Sequence, residues 1–189
     1  GELNVAHNCV DRHVDAGNGD RVAIHFEGEA GDTRTITYAD LQREVAKTAN
    51  ALAELGVGTG DTVAIYMPMI PETVFTMLAC ARLGAPHTVV FGGFSADSLS
   101  DRMNDMGCEV LLTQDEAWRR GKPVALKRVA DEALAAAPGV RRCLVVRRTG
   151  GEVAMQAGRD VWYHELAAGV SDDPVSCPCE PMDSEDLLF

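Results

Sequence analysis

The chain is short of positive charge. Seventeen Lys and Arg stand against 29 Asp and Glu, a formal net charge of −12. A protein that grips nucleic acid needs the opposite balance on its binding face, so no nucleic-acid partner is expected. No apolar run approaches the roughly 20 residues of a membrane span, so no membrane partner is expected either. The opening Gly1-Glu2-Leu3-Asn4 lacks a basic and apolar leader, and no signal peptide is expected. The six cysteines are not spaced like a disulfide framework for a chain of 189 residues. Cys80 and Cys143 lie in apolar runs, where a thiol serves as a small hydrophobe. A reducing, cytoplasmic compartment is the expectation. Cys177-Pro178-Cys179 has no second pair at a zinc-site spacing, and His7, His13, His25, His87 and His164 show neither metal-ligand spacing nor a triad pattern. There is no Walker loop and no GxGxxG fingerprint. A metal centre and the common nucleotide loops are therefore not expected.

What is present is rhythm. Asn4 to Val14 reads as a short helix with Val5, Cys9 and Val10 on one side. Arg21–Phe26 and Thr33–Thr37 read as strands joined by a polar turn, a β-hairpin. Thr37 followed by Asp40 resembles a capping box, and Leu41, Val45, Ala49, Leu52 and Leu55 continue at helical spacing to Gly56. From there strands at 62–67, 87–91, 109–113 and 140–146 alternate with helices at 71–83, 95–106 and 123–137. Pro71 and Pro123 start two of these helices, and Ser95 caps the third. That alternation predicts an α/β fold with a mostly parallel open sheet and crossover helices. Asp160–Ala168 reads as a short helix, and 169–186 as a Pro-, Ser- and Asp-rich surface connector. Leu187-Leu188-Phe189 reads as a strand cut off as it starts, which makes a fragment the expectation. Three regions follow: 1–38 (helix and hairpin), 39–150 (repeated βαβ units) and 151–189 (connector).

Ligands of open α/β sheets bind beyond the carboxyl ends of the strands. Four loops meet that condition, starting at Met67-Pro68-Met69, Phe91-Gly92-Gly93-Phe94-Ser95, Thr113-Gln114-Asp115 and Arg147-Arg148. The second is a strand–glycine–helix junction, a place where backbone N–H groups can face an anion. The third leads into Trp118-Arg119-Arg120-Gly121-Lys122, three cations within four positions of an acidic chain. Set beside the glycine loop, they suit a polyphosphate, with arginine forks and a lysine point charge. The competing readings are a solvated basic turn, and glycines that serve only turn geometry and close packing.

Several stretches are characteristic: Asn8-Cys9-Val10-Asp11-Arg12-His13, Thr35-Ile36-Thr37-Tyr38, Tyr66-Met67-Pro68-Met69-Ile70-Pro71-Glu72, Gly84-Ala85-Pro86-His87, the Phe91–Ser95 loop and Arg119-Arg120-Gly121-Lys122. Together they resemble the short-chain branch of the adenylate-forming acyl-CoA ligase superfamily, across almost the whole chain. The resemblance implies the first part of that superfamily's large N-terminal domain. It implies a two-step reaction in which a carboxylate and ATP, with Mg2+, give an acyl-adenylate, and coenzyme A then displaces AMP. It places Phe91, Gly92, Gly93, Arg119, Arg120, Gly121 and Lys122 against the nucleotide end of coenzyme A. Lys122 stands where relatives often have a second arginine, and it keeps the charge while losing the fork. In the superfamily the ATP loop begins after a Leu-Phe run like Leu188-Phe189. ATP and Mg2+ are thus expected to be bound outside these residues, none of which is expected to be catalytic. The piece alone is expected to be inactive. Acetate is favoured as acyl substrate by Glu27-Gly28-Glu29 and the Arg-Gly-Lys turn, on resemblance alone. The alternatives are a ligase for propionate or another short acid, and a stand-alone non-catalytic module binding phosphate or coenzyme A.

Overall fold

A computed structural model describes residues 1–189. The chain opens with β1 (Glu2–Leu3) and two helical turns at His7–Asp11 and Val14–Asn18 wound with i→i+5 hydrogen bonds. β2 (Val22–Glu27) and β3 (Thr33–Thr37) form the expected antiparallel hairpin. α1 (Tyr38–Glu54) starts at a true capping box: the Thr37 side chain accepts from the Asp40 N–H, and the Asp40 carboxylate accepts from the Thr37 N–H. Then come β4 (Val63–Tyr66), α2 (Pro71–Leu83, ended by Gly84 in the left-handed region), β5 (His87–Val90) and α3 (Ala96–Asp105, capped by Ser95). β6 (Val110–Gln114), β7 (Ala117–Arg119), β8 (Lys122–Val124), α4 (Leu126–Ala135) and β9 (Arg142–Val146) follow. β10 (Asp160–Trp162), α5 (Tyr163–Ala168) and β11 (Met182–Asp183) complete the chain. No helix is long and apolar enough to cross a membrane.

β10, β9, β6, β4 and β5 lie in that order as one parallel sheet. Side chains alternate across it. Val63, Ile65, Val110, Leu112 and Leu144 bury with Leu52 of α1 and Cys80 of α2 on one face. Ala64, Tyr66, Leu111, Cys143 and Val145 bury with Leu99 and Met103 of α3 and Leu126 and Ala130 of α4 on the other. The α/β expectation is met as a three-layer sandwich. Cys80 and Cys143 are fully buried, and burial pushes both thiols up to about 12, so they serve as packing atoms rather than nucleophiles.

Several local expectations are corrected. Cys9 is exposed, and Ala6 and Val10 are the residues that bury the first helical segment. Pro123 does not start a helix. It lies in β8 opposite Trp118, and α4 begins at Leu126. Alternation along an antiparallel ladder makes that pair non-hydrogen-bonded, so the missing N–H of proline is not needed there. Asp160–Trp162 is the fifth strand rather than helix, too short for alternation to be visible in sequence. Leu187–Phe189 forms no ladder, only one hydrogen bond from the His87 N–H to the Leu188 carbonyl.

Residues 169–183 run over the surface, with Cys177 buried, and are tied down. β11 pairs with β1. Asn4 donates to the carbonyls of Ala81 (2.7 Å) and Glu180 (2.8 Å). Buried Arg82 pairs with Asp11 at 2.8 Å and donates to the carbonyls of Pro174 and Cys177. Cys179 donates to the same Asp11 carboxylate. Burial pushes the Cys179 thiol up to about 12 and raises that of Cys177, so this pair is held as neutral thiols.

Candidate functional site at the carboxyl edge of the sheet

Because the five strands are parallel, the four candidate loops share one edge. α2, which follows β4, packs on one face of the sheet, whereas α3 and α4, which follow β5 and β6, pack on the other. Chains leaving neighbouring strands toward opposite faces open a crevice, here at the end of β4 between the exits of β5 and β6. Two hydrogen bonds fix its walls. The Tyr66 hydroxyl donates to the Phe94 carbonyl at 2.9 Å, and the Thr113 hydroxyl to the Tyr66 carbonyl at 3.0 Å.

The two glycines of the β5 exit sit close against neighbouring side chains. A methyl on Gly92 would lie 3.3 Å from Leu126 Cδ2, which matches the close-packing reading for that residue. A methyl on Gly93 would lie 2.9 Å from Arg119 Nη1 and 2.9 Å from the Phe91 ring. Arg119 therefore reaches the glycine loop directly, and its guanidinium carbon sits 5.9 Å from the centroid of the Phe91 ring. Phe91 is 55% exposed and Phe94 43%, meeting edge-on with ring centroids 6.5 Å apart. An apolar platform thus stands beside an arginine.

The basic segment is a hairpin, not the loop read from sequence. Arg119 and Lys122 are opposite each other in β7 and β8, and Arg120-Gly121 is a two-residue turn with φ of 53° and 74°. Positive φ at both central residues defines the tight turn that matches strand twist, and it suits glycine rather than arginine. Arg120 is the only non-glycine residue with positive φ in the chain. Arg119 and Lys122 face each other as like charges across the ladder, an unfavourable pair. No carboxylate forms an ion pair with Arg119, Arg120 or Lys122. Local strain and repulsion are concentrated at a point that faces solvent. Replacing Arg120 with Gly is expected to stabilise the fold by about 1 kcal/mol, a rise of about 2–4 °C in melting temperature. An unchanged or lower melting temperature in circular dichroism would show that the turn is unstrained.

The fourth loop is occupied otherwise. Arg148 pairs with Asp32 at 2.8 Å, and Arg147 lies 4.5 Å from the centroid of the Trp162 ring. A cavity of about 200 Å3 between them is lined also by Arg34, Ile70 and Glu72, with Arg34 bound to Glu72. A second cavity of about 230 Å3 opens at the opposite, amino edge of the sheet, where Arg141 is paired with Glu109.

Two further residues shape the edge through contacts that sequence reasoning did not find. Asp115, directly after β6, is fully buried, and its carboxylate accepts from the backbone N–H groups of Glu116 (2.7 Å), Arg148 (2.8 Å), Thr149 (3.1 Å) and Gly150 (2.8 Å). It locks the exits of β6 and β9 together. Its place at a strand's carboxyl end was the available signal. Glu29, in the turn between β2 and β3, accepts from the Gly121 N–H at 2.6 Å. A separation of 92 residues left no trace of that contact in sequence. No group of three His, Cys, Asp or Glu side chains is placed to hold a metal ion.

A family model described as AMP-binding enzyme matches residues 10–189. Over 189 residues the chain is 60% identical to the acetyl-coenzyme A synthetases of Streptomyces avermitilis and Streptomyces coelicolor, of whose lengths it covers 28% and 29%. It is 51% identical over 195 aligned positions to the acetyl-coenzyme A synthetase of Rhodopirellula baltica, again covering 29% of that protein. In each case all of this chain is matched, and it spans less than a third of the relative.

Proposed function

The chain belongs to the AMP-binding enzyme family, and from that membership we propose that it is the N-terminal part of an acetate–CoA ligase and carries part of its coenzyme A site. The relatives that match it along its whole length carry the name acetyl-coenzyme A synthetase, which favours acetate over propionate as the acyl group. The proposed reaction has two steps. The acetate carboxylate attacks the α-phosphorus of ATP and expels pyrophosphate, giving acetyl-adenylate. The coenzyme A thiol then attacks the acyl carbon and expels AMP. The compartment is proposed to be cytoplasmic.

These residues have work in the second step. The observation that carries the reading is Arg119 lying against both Phe91 and Gly93 at the β4 crevice. A planar arginine fork matches phosphate oxygens, the exposed Phe91 ring offers a face to a base, and Gly93 lets the backbone approach closely. A bound phosphate would also relieve the Arg119–Lys122 repulsion. On the resemblance to the acyl-CoA ligases, ATP and Mg2+ are assigned to the parts of the ligase outside these 189 residues, and no catalytic residue is assigned here.

The test uses the full-length ligase. Arg119→Ala is expected to raise the apparent KM for coenzyme A about tenfold, the loss of about one charge-assisted contact. Acetate-dependent pyrophosphate exchange, which reports adenylate formation alone, should be nearly spared. Should exchange fall as far as thioester formation, Arg119 does not belong to the second step.

A further inference from the structure

The basic hairpin tip already holds an anion, and the chain supplies it. Glu29 reaches across from the β2–β3 turn and takes the Gly121 N–H at 2.6 Å. The base of that turn is pinned independently of Glu29. The Gly28 N–H donates to the Asp32 carbonyl at 2.7 Å, the Gly31 N–H to the Gly28 carbonyl at 2.9 Å, and Asp32 is clamped by Arg148. The turn thus keeps its shape whether or not Glu29 stays on the tip. Glu29 is exposed and forms no ion pair with any of the three neighbouring cations. Its hold is the Gly121 backbone N–H at the tip of the two-residue turn. A phosphate oxygen approaching Arg119 and Lys122 would seek that same donor.

We propose that Glu29 is a specificity-determining residue: its carboxylate occupies the phosphate position at the Arg120-Gly121 turn and must be displaced by the phosphorylated nucleotide of the incoming substrate. The proposal rests on the coenzyme A reading of this edge and adds to it a built-in competitor. Singly charged or weakly held anions fail to displace an internal carboxylate. A nucleoside bisphosphate, which engages Arg119 and Lys122 as well, succeeds. Glu29 acts by exclusion and is not a catalytic residue.

The experiment is a calorimetric titration of the full-length ligase that contains this chain with adenosine 3′,5′-bisphosphate, and with adenosine as the uncharged control. Glu29→Gln keeps an acceptor oxygen for Gly121 while removing the charge. It is expected to bind the bisphosphate about three- to tenfold more tightly than the parent ligase, the scale of one screened charge removed near the surface. Adenosine binding should not change. Unchanged or weaker bisphosphate binding by Glu29→Gln overturns the proposal. If Arg119→Ala still abolishes binding in that case, the coenzyme A reading stands without it. Absence of bisphosphate binding in both the parent and Glu29→Gln overturns both. A second measurement avoids the variant altogether. In the parent ligase, saturation with bisphosphate should move the Gly121 amide and the Glu29 carboxylate carbon resonances together. A moving Gly121 amide with a stationary Glu29 carboxylate refutes displacement.

Discussion

Asp115→Asn will destabilise the fold by about 3–5 kcal/mol, because several strong hydrogen bonds to one buried charge are lost together. The carboxylate is fully buried and has no cation as a partner; four backbone N–H groups neutralise it instead. Asparagine keeps the shape but turns one acceptor oxygen into an NH2 group aimed at those donors. Either the Glu116 and Arg148 donors or the Thr149 and Gly150 donors are then orphaned inside the protein. For a chain of this size the melting temperature should drop by on the order of 10 °C. Hydrogen exchange should also lose protection at Arg148, Thr149 and Gly150, since Asp115 is what holds the β9 exit to the β6 exit. A shift within 2 °C of the parent, or retained protection at those amides, would remove Asp115 from its place as organiser of the edge.

The second large effect lies under α4. Lys127 is buried, with its ammonium 2.6 Å from Asp131 and 2.8 Å from Asp160. Asp160, also fully buried in its side chain, is bound in addition by Arg159 at 2.5 Å and by the Gln156 N–H at 2.9 Å. This network attaches residues 154–160 to α4 and delivers β10 to the sheet edge. Burial pulls the Lys127 ammonium downward, but the hydrogen bonds to Asp131 and Asp160 outweigh it and leave it above the ordinary 10.5. Burial likewise pushes Asp160 upward, and the hydrogen bonds from Arg159 and Lys127 outweigh that, leaving it below the ordinary 3.8. Asp160→Asn should cost about 3–5 kcal/mol by leaving a buried cation short of its partner. The signs set the pH window. A depressed carboxyl stabilises above 3.8 and loses that contribution as pH falls through its folded value. A raised ammonium stabilises below 10.5 and loses its contribution as pH rises through its folded value. The parent should therefore exceed Asp160→Asn in denaturant stability by a constant margin between those limits, with the gap closing beyond each. A gap that instead changes steadily between pH 5 and 9 would contradict the assignment.

The regular part of the molecule is written in local pattern. Pro71 and Gly84 bound α2, Thr37 and Asp40 start α1, and four β-branched or aliphatic runs are the strands β4, β5, β6 and β9. Each of these features satisfies backbone groups or buries side chains within a few residues, so periodicity records it. The common edge of the four loops followed from parallel pairing alone. Where the pattern misled, elements were short. Pro123 suits either a helix start or a non-hydrogen-bonded edge position, and a three-residue strand at Asp160–Trp162 has no period to read.

Amino-acid order alone was enough for the layered α/β architecture, the glycine exit of β5 and the cluster of cations after β6, because burial and turn chemistry act over one or two turns of chain. Folding in three dimensions settled the rest: that Arg119 lies on Phe91, that Asp115 ties two exits with backbone donors, and that Glu29 sits on the basic tip. Such polar contacts join residues tens of positions apart, and their geometry comes from how the layers pack, for which no neighbouring residue carries a mark.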